Sequence, residues 1–275
     1  MKGRLLAACI GLKLTGLLIV WGAHMPLLGW TVFFLCGGGL AVAHLVIPQW
    51  QGVCDVVTAF DSGQQPAVWL TIDDGPDPED TPRLLELLAK HQARATFFLI
   101  GERAAHYPEL VQQIRDAGHE LGCHTYSHPR FSFWRMGPRA AAAEIDRALP
   151  FLEATRGEVT LFRPAVGIKN LWLNGILKAR KLHCVAWTIR SGDGLGRDPQ
   201  AIIRHVANRA RPGAIILMHE GPEVAGNVRL AAIAGVLESL SAQGYAFILP
   251  TEDQFRFAPV KFTTTPTSTK ELLCN

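Results

Sequence analysis

Residues 68–76 read VWLTIDDGP, a short apolar run that ends on two adjacent carboxylates, Asp73 and Asp74, and a Gly-Pro turn. A second apolar run is followed by the segment HTYSH, residues 124–128. Because the carboxyl ends of parallel strands converge on one face, we expect these acids and histidines to lie together. An Asp-Gly-Pro triplet alone is ordinary turn chemistry, and a lone pair of histidines is commonly structural, so the interpretation depends on the combination.

The combination predicts a metal-dependent hydrolytic site. One carboxylate and two imidazoles can bind a divalent metal ion and leave its remaining coordination positions open, as hydrolysis requires. The second carboxylate is then free to act as a base.

Strand and helix signals alternate along the rest of the chain. The strand candidates are 68–72, 95–100, 120–123, 159–162, 183–189, 214–218 and 245–249. The helix candidates are 82–91, 108–117, 138–155, 170–181, 199–210 and 228–243. This order predicts an α/β fold with a parallel sheet covered by helices.

A closed or nearly closed barrel accommodates this order better than an open doubly wound sheet, although the pattern is compatible with both. Polar groups follow nearly every strand candidate: the two acids, the two histidines, and then Arg163, Asp193 and His219. One face of a barrel would collect all of them.

The amino terminus predicts a transmembrane hairpin that precedes the barrel. Between Leu14 and Pro48 there is no Asp, Glu, Lys or Arg. Since one span needs about 20 residues, Leu5–Gly22 and Pro26–Ile47 can form two, although Lys13 is unfavourable in the first. The stretch is too long for a cleaved signal peptide. We therefore interpret residues 1–48 as a membrane anchor.

Early cations predict the orientation of this anchor. Lys2, Arg4 and Lys13 favour a cytoplasmic amino terminus. Two spans then return the remainder to the cytoplasmic side of the inner membrane, whereas one long tilted span would export it. The hairpin is the favoured alternative.

Length and composition bound the remaining organisation. The 275 residues suffice for one large domain plus an appendage. We predict a connector at 49–65, a catalytic domain at 66–255 and a flexible tail at 256–275. A net charge of +3 is too small to indicate nucleic-acid binding. The six cysteines lack metal-type or disulfide-type spacing and are typical of small buried thiols.

In this order the motifs resemble the polysaccharide deacetylases of the nodulation-deacetylase type, carbohydrate esterase family four. The resemblance runs from Pro66 to Pro250. TIDDGP at 71–76, HTYSH at 124–128, FRPAVG at 162–167 and LMH at 217–219 are similar to the first, second, third and fifth motifs. The fourth, IRSGD at 189–193, is weaker, because Gly194 replaces the usual following Trp.

The resemblance implies a deformed (β/α)7 barrel and a divalent metal held by Asp74, His124 and His128. The metal is often zinc, with Co²⁺, Mn²⁺ or Ni²⁺ as alternatives. Asp73 would be the general base.

The remaining motifs imply further roles in the same site. His219 matches the family's acid, Leu217 would line the pocket for the acyl methyl group, and Arg163 would hold the base. Asp193 would tune His219, although its Ser-Gly-Asp-Gly context is also typical of a plain turn. A backbone N–H near Ala165 or Val166 would stabilise the oxyanion.

Two departures from the family pattern indicate the substrate. Ala165-Val166 replaces the usual Pro-Tyr pair and so removes an aromatic wall from the groove for polymer chains. Together with the anchor, this makes the chain resemble most the family's deacetylases and deformylases of aminosugars carried by polyprenyl phosphate. It favours N-deacetylation of such a lipid-linked aminosugar, for envelope glycolipid or lipopolysaccharide modification.

Three other functions are compatible with parts of the pattern. One is a periplasm-facing deacetylase of peptidoglycan or exopolysaccharide. Another is a metal-free glycosidase that uses Asp73 or Asp74 with a second carboxylate, although the paired histidines argue against it. The third is a sugar-binding membrane protein without activity.

The segment that follows the second motif points to the bilayer as a partner. Residues 129–139 interleave aromatic and basic side chains, including Trp134 and Arg135. Aromatic rings at headgroup depth beside cations that meet phosphate are typical of the bilayer interface. A loop packed over the barrel rim, with its arginines in water, would explain the same residues. In the first case Trp134 and Arg135 would contact a lipid-linked substrate.

Overall fold

A computed structural model describes residues 2–153, 157–195, 198–221 and 226–257 of the chain. The predicted tail falls almost entirely on residues 258–275, which lie outside the described residues. The described part consists of a helical hairpin followed by a parallel α/β barrel.

The hairpin is formed by α1 (Gly3–Trp21) and α2 (Pro26–Val46), and both have the length and composition of membrane spans. Only 17% and 11% of their most apolar windows are buried, whereas a core helix of a soluble protein would be mostly covered. The two helices cross closely at Gly16 and Gly29, where an added Cβ would meet the opposite backbone at 2.6 and 2.5 Å. These glycines therefore allow the helices to pack against each other.

The strands are short, and most of them are parallel. They are β1 (Val56–Val57), β2 (Ala59–Phe60), β3 (Ala67–Asp73), β4 (Ala95–Leu99), β5 (Glu120–Cys123), β6 (Leu161–Phe162), β7 (His183–Val185), β8 (Ile189–Arg190), β9 (Ala214–His219), β10 (Ala246–Phe247) and β11 (Phe255–Arg256). The pairing order is β1-β7-β6-β5-β4-β3-β9-β8, so the curved sheet is open between β1 and β8. Thr188 bridges this opening, since its hydroxyl donates to Thr58 O at 2.9 Å.

The structure confirms the deformed barrel but changes two of the predicted strands. The candidate at 183–189 is broken into β7 and β8, separated by residues 186–188. The candidate at 245–249 forms only β10, which pairs with Ala67 and Val68, the first two residues of β3. β4 pairs with β3 only from Leu70 onwards, so β10 lies beside β3 ahead of β4 and is not part of the main strand order.

The predicted connector contains ordered strands. β1 pairs with β7, and β2 pairs antiparallel with β11 at the end of the described chain. Residues 49–65 therefore include part of the barrel edge. The domain boundaries themselves stay a prediction.

Helices cover the outside of the barrel. They are α3 (Asp80–Lys90), α4 (Gly101–His106), α5 (Pro108–Asp116), α6 (Pro138–Asp146), α7 (Leu149–Glu153), α8 (Leu173–Ala179), α9 (Pro199–Ala207) and α10 (Gly226–Ala242). The single helix predicted at 138–155 is two helices, because Pro150 lacks the N–H needed to continue α6. Asp198 caps α9 as its sequence predicts, accepting from Ala201 N at 3.0 Å.

Alternation along β3 positions the catalytic end of the barrel. Val68, Leu70 and Ile72 pack in the large core beneath the helices. Trp69 belongs instead to the smaller interior core and donates to Thr96 Oγ1 at 2.7 Å. Since strand side chains alternate, Asp73 shares the interior face with Trp69.

Candidate functional site

Strand ends bring the first and last motifs together. Asp73 is the final residue of β3 and pairs in register with His219, the final residue of β9. His124 directly follows β5, and Arg163 directly follows β6. These strands are neighbours in one ladder, so their carboxyl ends form one cleft.

Three ligand atoms converge in this cleft. Asp74 Oδ1 lies 3.4 Å from His124 Nε2 and 3.3 Å from His128 Nε2. The ligand atoms of the three residues all lie within 4.8 Å of one another. Asp74 Oδ1 is buried and accepts no hydrogen bond from a described residue. A buried oxygen left unsatisfied between two imidazole nitrogens fits a divalent cation.

Neighbouring groups prepare His124 for metal binding. Its Nδ1 lies 2.8 Å from Arg163 O, a partner that can only accept, so Nδ1 carries the proton. Nε2 then keeps its lone pair for a metal. Two imidazoles and one carboxylate suit zinc and neighbouring first-row ions.

His128 is held differently. Burial and the charge of His124 lower the pKa of His128 to about 3, so its imidazole is neutral. Arg130 Nε–H donates to its Nδ1 at 3.2 Å, which places the proton on Nε2. Metal binding through Nε2 therefore requires this hydrogen bond to break.

A buried arginine fixes the second carboxylate. Arg163 Nη1 donates to Asp73 Oδ1 at 2.6 Å and to Thr71 Oγ1 at 2.9 Å. Its Nε and Nη2 donate to Val185 O and Ala186 O at 3.0 and 3.1 Å. The guanidinium is fully buried, so its position and that of Asp73 are strongly constrained.

An acid holds the histidine on the opposite wall. Asp193 Oδ1 lies 2.8 Å from His219 Nδ1, and Asp193 Oδ2 accepts from His219 N at 2.8 Å. Burial lowers the pKa of His219, but the hydrogen bond and charge of Asp193, together with the charges of Asp73 and Asp74, outweigh burial and raise it to about 9. His219 is therefore protonated at neutral pH, as a proton donor must be.

Two of the predicted substrate-contacting residues line this cleft, and a third is adjacent to one of them in the chain. Val166 and Leu217 line a cavity of about 190 Å³ together with the metal triad and His219. Ala165 is buried beside Val166, whose φ of +50° is unusual for a β-branched residue. A larger cavity of about 700 Å³ contains none of the predicted site residues.

Comparison with known proteins identifies the family. Residues 61–185 match the family model described as polysaccharide deacetylase. A peptidoglycan-N-acetylglucosamine deacetylase of Bacillus cereus is 36% identical over 188 residues, which cover 66% of this chain and 85% of that protein. The chain belongs to the polysaccharide deacetylase family. It is a carbohydrate N-deacetylase of a metal-dependent family.

Two further relatives agree with this assignment. A chitooligosaccharide deacetylase of Azorhizobium caulinodans is 35% identical over 194 residues, covering 66% of this chain and 91% of that protein. A family 4 carbohydrate esterase from Streptomyces lividans, solved in complex with acetate, is 33% identical with a TM-score of 0.62. That match covers 70% of this chain and 98% of the solved one.

The other two predicted contact residues of this deacetylase lie outside the cavity. Trp134 and Arg135 belong to a 3₁₀ turn, Phe133–Arg135, and neither lines the catalytic cleft. Trp134 is 46% exposed, and its indole donates to Phe131 O at 3.2 Å. They occupy the barrel rim, where both interpretations of the loop remain compatible with the structure.

Sequence reasoning missed several residues that line the cleft. They are Arg130, Gly167, Trp187, Arg190, Gly194, Glu220 and Arg229. Glu220 is buried, and burial raises its pKa to about 8. The position of Glu220 directly after His219 could have indicated that it lies in the cleft. Arg229 belongs to α10, which is distant in sequence from the other site residues, and no motif lies near it.

Proposed function

We propose that this deacetylase removes the N-acetyl group of an aminosugar linked to a membrane lipid through phosphate, for modification of an envelope glycolipid or lipopolysaccharide. The observation that carries the proposal is the docking of the end of α2 on the loop that lines the catalytic cleft.

A buried lysine makes this connection. Lys169 N donates to Leu45 O at 3.0 Å, and its Nζ donates to Ile47 O and Pro48 O at 2.5 and 3.0 Å. The last carbonyls of a helix have no intrahelical donor, so the lysine supplies donors at this helix end, where Ile47 O also accepts from Trp50 N at 3.1 Å. The end of the second apolar helix is thereby attached to the loop after β6.

The same loop forms part of the cleft wall. Gly167 has φ of +76°, and an added Cβ would meet Pro48 at 2.8 Å and Trp187 at 2.5 Å. Gln49 Nε2 also donates to Trp187 O at 3.0 Å. Because Gly167 and Trp187 both line the cavity, the cleft opens close to where α2 would leave the bilayer. This supports a substrate presented at the membrane surface.

The contacts at the start of α1 support a hairpin topology. Lys2 N donates to Gly52 O at 2.9 Å, and the Lys2 ammonium pairs with Asp55. The beginning of α1 and the end of α2 thus meet the barrel together. With Lys2 and Arg4 on that side, we place the barrel at the cytoplasmic face of the inner membrane.

The side chains of the cleft suit amide hydrolysis. A divalent ion held by Asp74, His124 and His128, most readily Zn²⁺, would supply positive charge that acidifies a water and polarises the acetamide carbonyl. Asp73 removes a proton from the attacking water as that oxygen bonds to the carbonyl carbon. His219 gives its proton to the sugar nitrogen as the C–N bond breaks, leaving an amine and acetate.

Other residues position these two groups and the acyl chain. Arg163 orients Asp73, and Asp193 orients His219 and keeps it protonated. Leu217, which is 2% exposed and lies two residues before His219, offers an apolar surface to the acyl methyl group. A backbone N–H of Ala165 or Val166 would stabilise the developing oxyanion.

The experiment is mass spectrometry of N-acetylated sugars after incubation with the metal-loaded enzyme. We expect loss of an acetyl mass from a polyprenyl-phosphate-linked sugar in preference to a soluble chitooligosaccharide or peptidoglycan. The reverse preference would favour a second candidate, a periplasm-facing deacetylase of peptidoglycan or exopolysaccharide, which the names of the relatives support. Absence of acetate release from any of them would favour a sugar-binding protein without activity.

The loop at 129–139 offers a finer test of lipid linkage. Trp134→Ala and Arg135→Ala should reduce turnover of the lipid-linked sugar far more than that of a short soluble N-acetylsugar. Equal loss on both substrates, with unchanged metal content, would assign the loop to packing.

A further inference from the structure

One arginine of the cleft has no role in the catalytic arrangement. Arg190 ends β8 and lines the same cavity as Leu217 and His219. It pairs in register with Leu217, so the two side chains emerge on the same face of the ladder. Its guanidinium makes no hydrogen bond or ion pair with any residue that the structure describes, and the residue is exposed to the cleft.

Most of the other charged groups around it have described partners, and Arg130, which also lines the cleft, donates to His128 Nδ1 at 3.2 Å. Arg163 lies 2.6 Å from Asp73, and Arg229 lies 2.8 Å from Asp80. His219 is held by Asp193, as described above. Asp74 belongs to the metal site, whose ion would add positive charge.

The remaining acid does not compensate Arg190. Glu220 accepts a hydrogen bond of 2.5 Å from Thr81 Oγ1, and burial raises the pKa of Glu220 to about 8. It therefore carries little negative charge at neutral pH. The wall that Arg190 shares with Leu217 consequently presents a positive charge that no described acid neutralises.

We propose that Arg190 binds a phosphate group carried by the substrate, namely the ester that links the aminosugar to its carrier. This inference rests on the proposed function, since a neutral oligosaccharide offers no anion. A planar guanidinium donates two parallel hydrogen bonds to phosphate oxygens, which gives both attraction and orientation. Attraction between a positive cleft and an anionic substrate also raises the rate of encounter.

The test compares one neutral sugar with two sugars that carry phosphate, one soluble and one linked to lipid. Acetate release is measured for the methyl glycoside of N-acetylglucosamine, for N-acetylglucosamine 1-phosphate and for the polyprenyl-phosphate-linked sugar. Arg190→Gln should lower the ratio of kcat/KM for either phosphate-bearing sugar to that for the neutral glycoside by about 10- to 100-fold, the usual range for hydrogen bonds to a charged group. Arg190→Lys should restore part of this ratio, because a lysine ammonium keeps the positive charge but cannot donate two parallel hydrogen bonds as a guanidinium does.

A matched control removes a cation from the outer surface. Arg83 is exposed on α3, away from the cleft, so Arg83→Gln should leave the ratio unchanged. Methyl phosphate should inhibit the parent enzyme competitively and inhibit the Arg190→Gln variant about tenfold less well, which tests binding without relying on turnover of a sugar phosphate.

The outcomes separate this inference from the proposed function. A parent enzyme that prefers the lipid-linked sugar, with a ratio unaffected by Arg190→Gln, would keep the proposed function and overturn the role of Arg190. Equal loss on all substrates would also overturn it, because Arg190 would then support the fold. Turnover of neutral oligosaccharides alone would overturn the proposed function. N-acetylmuramic acid serves as a fourth substrate, and a preference for its carboxylate that depends on Arg190 would overturn the phosphate assignment.

Discussion

Replacing Asp193 by asparagine should move the alkaline limit of activity to lower pH. In the structure Asp193 makes two contacts of 2.8 Å to His219, one to the ring and one to the backbone nitrogen. Burial lowers the pKa of His219, and the hydrogen bond and charge of Asp193 lead the groups that raise it to about 9. Asparagine keeps the size and an acceptor oxygen but removes the charge.

The size of the effect follows from the protonated fraction of His219. With a pKa of about 9, roughly 97% of the imidazole is protonated at pH 7.5. Without the carboxylate, the pKa of His219 falls towards its ordinary value of about 6.5, at which only about 9% would be protonated at that pH, while the charges of Asp73 and Asp74 still oppose burial. We therefore expect kcat/KM at pH 7.5 to fall by up to about tenfold. A bound dication would lower both pKa values, so the difference between variant and parent is the quantity to compare.

The assay is a pH profile of kcat/KM for acetate release, measured from pH 5.5 to 10 in both proteins. The alkaline limb of the Asp193→Asn profile should lie at lower pH, by up to about 2 units, and activity should recover as the pH falls. Asp146→Asn is the matched control, because Asp146 pairs with Arg180 on the outer surface at 2.5 Å. Coincident alkaline limbs in parent and Asp193→Asn would refute the idea that Asp193 sets the protonation of His219.

Three further changes test other parts of the site and anchor. Asp74→Ala should abolish both metal retention and turnover, whereas Asp73→Asn should keep the metal and lose turnover. Elemental analysis measures the bound metal, and the rate of acetate release measures turnover. Near-normal rates in Asp73→Asn would contradict the role of Asp73 as the base. Lys169→Met removes the ammonium that donates to Ile47 O and Pro48 O, although Ile47 O keeps Trp50 N as a donor. It should cost about 1–3 kcal/mol in unfolding free energy, measured in detergent against Lys178→Met, an exposed control. Equal stability would show that the attachment is weak. Two reporters are fused after Pro250, one active only in the cytoplasm and one active only in the periplasm. The cytoplasmic reporter should be active and the periplasmic one silent. Activity of the periplasmic reporter would indicate a single span and an exported barrel.

The amino-acid sequence alone determined the family, the barrel class and the composition of the candidate metal site. These were readable because their signals are local. A strand that ends on two acids and a turn holding two histidines each occupy a few consecutive residues, and a parallel sheet brings strand ends to one face. The two apolar helices were likewise defined by length and the absence of charge.

Tertiary structure decided the features that depend on partners far apart in the chain. Trp187 was missed because it enters the cleft only where the candidate strand at 183–189 breaks in two, and Arg190 was missed because its position in the quoted IRSGD segment carries no local signal that it faces the cleft. Their contribution depends on pairing with β9 and on contact with the end of α2.

The attachment of the anchor to the cleft could likewise not be predicted from the sequence. Lys169 lies more than a hundred residues from the carbonyls of Ile47 and Pro48. A lysine between an isoleucine and an asparagine has no local pattern that predicts burial, and lysines are almost always exposed unless they are paired. Its environment exists only after the barrel closes and the end of α2 packs on it, because the donor and its acceptors come from separate elements.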